Sequence, residues 1–124
     1  MVSNQEGRQL ELAERLAEVA HTLAHSIRTV PRPLDSYRML AELAAAQRSL
    51  AATYSQLVAW HSHVIDGVDY DGEAKSSDES ALEEAHGHLV VAQLHAHGAD
   101  GALRAAHDAS HRIRWHDAPH SGAA

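Results

Sequence analysis

Histidine is the residue type in this sequence with the most chemical potential, since twelve of the 124 residues are histidine. Two pairs, His21 with His25 and His107 with His111, are four residues apart and would lie on the same face of a helix. Such a pair can hold zinc or nickel when other parts of a protein supply further ligands. Two ligands make only a weak site, so we predict no bound metal or cofactor and keep a histidine-rich metal-binding bundle as an alternative.

Arginine and histidine also occur at a spacing that could support phosphodiester chemistry. Arg104 and His111 are seven residues apart, so a helix would present both on one face. A guanidinium beside an imidazole can stabilise charge and transfer a proton during phosphodiester cleavage. Arg104 with His111, and Arg114 with His120, resemble the loose Arg-x(4–6)-His pattern of small helical ribonucleases of the HEPN class. This resemblance implies a ribonuclease, which we keep as the enzymatic alternative.

The stretch WHSHVIDGVDYDGE, residues 60–73, combines histidines with acidic residues and glycines. Asp69 and Asp71 have the spacing of carboxylates in a calcium-binding loop between two helices. Gly67 and Asp78, however, occupy the positions where the first carboxylate and the bidentate glutamate should be. We therefore interpret the stretch as a helix end, a glycine cap and a solvated acidic turn.

Composition argues against several classes of protein. The formal net charge is −7, with only ten lysines and arginines, which does not favour binding to a phosphate backbone. Without cysteine there can be no disulfide and no thiolate metal site. The longest apolar run, LVVA at 89–92, is too short to cross a bilayer, and MVSNQEGRQLE at the N-terminus is too polar for a signal peptide. We predict a soluble cytoplasmic protein without a membrane or nucleic-acid partner.

Apolar residues recur at alternating spacings of three and four, which predicts long coiled-coil-like helices. The helices are expected at about 4–29, 34–65 and 78–116, with a flexible tail at 117–124. Pro31 and Pro33 separate the first two helices. The fold class is therefore all-α, an antiparallel up-down-up three-helix bundle that forms a single domain over 1–124. The last two helices would form a hairpin, with the first helix along its groove.

Helix 3 contains Gly98 and Gly101, which could divide it into two shorter helices with Asp100 as an N-cap. Because a turn would ordinarily shift the heptad phase, and the phase is unbroken, we favour one continuous helix.

Gln47 and His61 occupy positions in the helix 2 seam where leucine would be expected. Such polar residues help to fix the register, and His61 could make the core sensitive to pH.

Helix 3 also has a second stripe of small and apolar residues on the side opposite its seam. Its members are Gly87, Val91, Leu94, Gly98 and Gly101. A helix in a simple bundle needs only one apolar face, so this stripe predicts an interface with a second subunit or a helical partner. We therefore expect a non-enzymatic interaction protein, acting as a small adaptor or regulator, with Val91 and Leu94 at the centre of its interface.

The segments RPLDSYRMLAELAAAQRSLA, LVAWHSHVIDGVDYDGE and HRIRW, in this order, resemble an uncharacterised family of small helical proteins from actinomycetes. The resemblance covers most of the chain and implies a bacterial cytoplasmic origin, but it transfers no activity and no site residue. The chain is also weakly similar to the secreted helical hairpins of the WXG100 family, which are short, cysteine-free and heptad-bearing. It departs from their Trp-x-Gly motif, because Trp60 is followed by His61 and Ser62, with no glycine at position 62.

Overall fold

The computed structural model describes residues 2–29, 32–64, 68–69 and 81–116. For residues 2–6 it describes the backbone and not the side chains. Three helices account for most of this part of the chain: α1 (Val2–Ser26), α2 (Pro33–His63) and α3 (Ala81–His111). None of the described residues forms a strand. The predicted all-α fold with three long helices is confirmed.

The helices belong to two compact units, one containing α1 and the other containing α2 and α3. The positions expected for the calcium-like turn, Gly67, Asp71 and Asp78, lie outside the described residues, as does the predicted tail at 117–124. The prediction that the first helix lies along the groove of the hairpin stays a prediction, as does the single domain over 1–124.

The α1 unit is a single amphipathic helix that ends in a tightened turn. The amide of Ile27 donates to the carbonyl of Leu23, and the next two amides bond only three residues back, Arg28 to His25 and Thr29 to Ser26. The helix ends at Ser26, three residues short of the expected end. Its large apolar side chains are mostly exposed, with Leu12 at 45% and Val19 at 65%.

Helix α2 begins one residue before its predicted start and ends two residues before its predicted end. Pro33 occupies the first helical position, where its missing N–H removes no helical bond, and Asp35 follows in the first turn, where a negative charge is stabilised. At the other end the His61 and His63 rings donate from Nδ1 to the carbonyls of Leu57 and Ala59, at 2.9 and 2.7 Å. These side-chain bonds compete with the backbone ladder where the helix ends.

Helices α2 and α3 form an antiparallel hairpin. Tyr37 near the start of α2 is bonded to His111 at the end of α3, and Arg48 pairs with Asp100. Eleven residues forward along α2 therefore correspond to eleven residues backward along α3, which fixes the antiparallel register. The predicted hairpin of the last two helices is thus confirmed.

The core of the hairpin is built from alanine. Ala44, Ala51 and Ala96 are 3%, 0% and 5% exposed, and among the described residues no other side chain is as deeply buried. The seam leucines are half-buried on either side of them. They include Leu40, Leu43, Leu50, Leu89 and Leu103. Small side chains at the centre allow two helix axes to approach closely, so the sequence's abundant alanine is used where the helices meet.

Helix α3 runs without interruption through residues 98–101, which confirms one continuous helix and excludes a separate fourth helix capped by Asp100. It ends at His111 rather than near 116. Arg112 and Ile113 form a turn with bonds to Ala109 and Ser110, and the indole of Trp115 donates to the Ser110 carbonyl at 3.0 Å. The last carbonyls thus find partners outside the helical ladder. No helix in the described part of the chain could span a membrane.

Candidate functional site

The second stripe predicted on helix 3 is an exposed surface in the structure, which we call the α3 strip. It comprises Gly87, Val91, Leu94, Gly98 and Gly101, all of them exposed. Val91 is 47% and Leu94 62% exposed, whereas Ala96, on the side that faces α2, is almost fully buried. The sequence therefore placed these residues on the correct face. Whether a partner covers that face stays a prediction.

The α3 strip is smooth and uncharged. A Cβ atom added to Gly87, Gly98 or Gly101 would meet no atom within 4 Å, so the space above each glycine is open. Ala102 and Ala105 are also exposed and continue the strip toward the C-terminal end of the helix. From residue 87 to residue 105 the strip extends for about 27 Å along the helix. This is a long surface without charge on one side of a helical hairpin.

The polar residues predicted in the seam are half-buried. Gln47 and His61 both have intermediate exposure, as expected for residues on the seam of α2. The His61 ring also meets the Trp60 ring edge to face, with centroids 4.8 Å apart, while Trp60 itself is 56% exposed. These contacts hold His61 at the end of α2 close to its own helix. The role in register and pH sensitivity stays a prediction.

The four histidines proposed as weak metal ligands fall into two different settings. His21 and His25 are exposed on α1, with stacked rings whose centroids are 6.4 Å apart. His107 and His111 both contact Tyr37 of α2. Among the described residues, no group of three or more histidines or carboxylates is arranged to hold a metal ion. The structure therefore pairs these residues without completing a site.

Tyr37 joins the two histidines of α3 to α2. Its ring stacks on the His107 ring with centroids 4.3 Å apart and an interplanar angle of 16°. Its hydroxyl is 3.0 Å from Nδ1 of His111, within hydrogen-bond distance. His107 and His111, whose spacing suggested a metal-binding pair, thus make contacts between α2 and α3 at the open end of the hairpin. Sequence reasoning missed Tyr37 because the contact depends on the register of the hairpin.

A small cleft lies between α2 and α3 next to this cluster, with a volume of about 290 Å³. We call it the arginine cleft. It is lined by Ala41, Ala44, Arg48, Arg104, His107 and Asp108. Asp100 lies beside it and pairs with both arginines: Nε of Arg104 is 2.8 Å from Oδ1, and Nε of Arg48 is 3.7 Å from Oδ2. One carboxylate therefore bonds to Arg104 and forms a longer ion pair with Arg48.

The arginine cleft revises the arrangement expected for a ribonuclease. Arg104 lines the cleft, but the histidine that accompanies it there is His107, whereas His111 bonds to Tyr37. His111 does not line the arginine cleft with Arg104. Asp100 and Arg104 have the i, i+4 spacing of a helical ion pair, so this part of the cleft was visible in the sequence.

No family model, curated protein or solved structure matches this chain in the comparisons.

Proposed function

We propose that this protein is a non-enzymatic helical interaction protein, whose α3 strip packs against a helix of a second copy or of another helical protein. The observation that carries the proposal is the exposure of the α3 strip on the face opposite the hairpin seam. Continuous apolar surface on a soluble protein marks interaction sites. Self-association is the form we favour, and binding to a helical partner is the alternative. A cytoplasmic location and an actinobacterial origin belong to the same proposal.

The shape of the α3 strip suits a partner helix. Val91 and Leu94 project between glycines that have no side chain, so a facing helix can place its own side chains over Gly87 and Gly98. The spacing of packed helices depends on side-chain size at the contact, and glycine permits the shortest distances. The strip is as long as a helix of about five turns, somewhat longer than the average helix of a globular protein.

The apolar side chains of the strip do not by themselves account for a tight complex. Val91 and Leu94 are about half exposed, so covering them contributes about 1 to 1.5 kcal/mol each. A micromolar complex requires about 8 kcal/mol. The interface must therefore extend beyond Val91 and Leu94 to other residues of the partner-facing surface.

The experiment that tests self-association is the solution mass of purified protein by light scattering after size exclusion, with and without a chelator. We expect a dimer or larger species that a chelator does not change. Val91→Glu should convert it to monomer with the helical circular dichroism retained, because a charge at the centre of the strip would be buried without a partner. Val91→Lys should act similarly, which separates burial from an effect of net charge.

The matched control is Gln56→Glu, which adds the same charge at an exposed position on α2 and should leave the mass unchanged. Unchanged mass for both Val91 variants would refute an interface at the α3 strip. A wild-type monomer would remove self-association and leave the heterologous helical partner. An oligomer that is lost on chelation would instead support the metal-binding alternative and its histidines.

A further inference from the structure

The arginine cleft contains three side chains that bind anions in other proteins, and it lies apart from the α3 strip. Arg48, Arg104 and His107 all line it, two of them from α3 and one from α2. Arginine is the preferred residue for phosphate and carboxylate groups, because its planar guanidinium donates several N–H bonds in a fixed geometry. Their convergence between two helices depends on the hairpin register.

Asp100 holds the arginines in a way that leaves donors available. Both ion pairs are formed by the Nε atoms, and the Arg48 and Arg104 side chains remain 58% and 50% exposed. Asp100 is only 14% exposed, so it is a fixed anchor beside the cleft. The terminal amino groups of two guanidiniums are therefore available for a second acceptor. The 2.8 Å bond to Asp100 restricts the orientation of Arg104, whereas Arg48 is held only by the longer ion pair.

We propose that the arginine cleft binds the phosphate group of a small phosphorylated compound, with Arg48 and Arg104 as the principal donors and His107 at its side. The two arginines exceed the charge of Asp100 by one positive charge. Asp108 also lines the cleft and offsets this charge, and its Oδ1 lies 3.8 Å from Nδ1 of His107. Because the Asp108 side chain is 80% exposed, water weakens its repulsion of an anion without removing it. This binding function goes beyond the proposed association and does not depend on it.

The size of the cleft decides which compounds fit. A volume of about 290 Å³ is just below the range typical of small-molecule sites, and the cleft is open to solvent on one side. Ala41 and Ala44 line one part of it with small side chains, which keeps the space between the arginines open. Together with the formal net charge of −7, this favours a single phosphate group over an extended nucleic acid, which would need many basic contacts.

The test is an NMR titration of the full chain with inorganic phosphate, and then with a phosphomonoester, at constant ionic strength set by sodium chloride. We expect saturable shifts of the side-chain Nε–H signals of Arg48 and Arg104. Arg48→Gln and Arg104→Gln should each weaken binding by about tenfold to a hundredfold, because each removes charge-assisted hydrogen bonds to the phosphate. Asp108→Asn should strengthen it, because it removes a negative charge from the cleft.

The matched control is Arg38→Gln, which removes an exposed arginine of α2 that does not line the cleft and should leave binding unchanged. Arg48→Lys keeps the charge and loses the planar donor group, so it should bind phosphate more weakly than wild type while retaining the fold. The proposal is overturned by shifts that do not saturate, by equal weakening in Arg38→Gln and Arg48→Gln, or by binding of a short RNA without binding of phosphate. The solution mass of the same variants reports separately on the α3 strip.

Discussion

Ala51 is the most deeply buried residue of the hairpin, and its replacement by leucine is the most direct test of the alanine core. Ala51 is 0% exposed, and the antiparallel register brings it close to the level of Ala96 on α3. Leucine adds three carbon atoms at a position where the two helices approach each other. The added volume must displace one helix or force side chains out of their preferred rotamers.

The expected loss is about 1–3 kcal/mol in the free energy of unfolding, which is typical of overpacked cores. For a chain of this size each kcal/mol corresponds to roughly 3–5 °C in the melting temperature. Urea and thermal unfolding followed by far-UV circular dichroism would measure the change, with all variants at the same protein concentration. The loss is a large part of the stability of an ordinary small domain.

Ala52→Leu is the matched control, because Ala52 is the next residue of the same helix and is exposed. Alanine and leucine differ little in helix propensity, so the difference between the two variants measures packing alone. Ala52→Leu should unfold within about 0.5 kcal/mol of wild type. If Ala51→Leu were as stable as Ala52→Leu, the close approach of α2 and α3 at this level would be wrong.

Three further predictions concern single residues of the hairpin. Gly98→Ala should raise the free energy of unfolding of the monomer by about 0.5–1 kcal/mol in urea unfolding, since the added Cβ meets open space and alanine is the better helix former; a less stable variant would contradict the open surface. Asp100→Asn should lower the free energy of unfolding by about 0.5–1 kcal/mol, because it removes the partner of both cleft arginines. The difference from wild type should shrink at high salt. A loss that does not depend on salt would contradict an electrostatic cause. Tyr37→Phe should lower the melting temperature modestly, because it loses the hydrogen bond to His111, worth about 0.5–1 kcal/mol, and keeps the ring stack; Tyr37→Ala should lower it further, and equal melting of the two variants would show that the stack contributes nothing.

The heptad spacing predicted the fold because it is a local signal that repeats along the chain. The seam of α3 kept its phase through Gly98 and Gly101, and the helix is continuous there. The exposed face of α3 could be predicted for the same reason, since the face opposite a seam is fixed once the seam is known. Helix ends were predicted less closely, because the turn at Arg112 and its bond from Trp115 depend on local geometry.

The arginine cleft could not be predicted from spacing along one helix. Arg104 was recognised, but its predicted companion was His111, seven residues away on the same helix. The structure instead surrounds it with Asp100, His107 and a residue from α2, Arg48. Pairing of α2 with α3 is a nonlocal property, and a shift in register by one turn would bring different residues together. The site could be predicted only if the register were known, for example from the contact between Tyr37 and His111.

The glycines of the α3 strip have a cost that the hairpin alone does not explain. Each glycine inside a helix costs about 1 kcal/mol relative to alanine, so Gly87, Gly98 and Gly101 together cost about 3 kcal/mol. No steric reason within the described structure requires them, because a Cβ at each position would meet nothing. Alanine is abundant elsewhere in the same helix and would have been the more stable choice. The proposed interface would account for this cost, because glycine lets a second backbone approach more closely than alanine does.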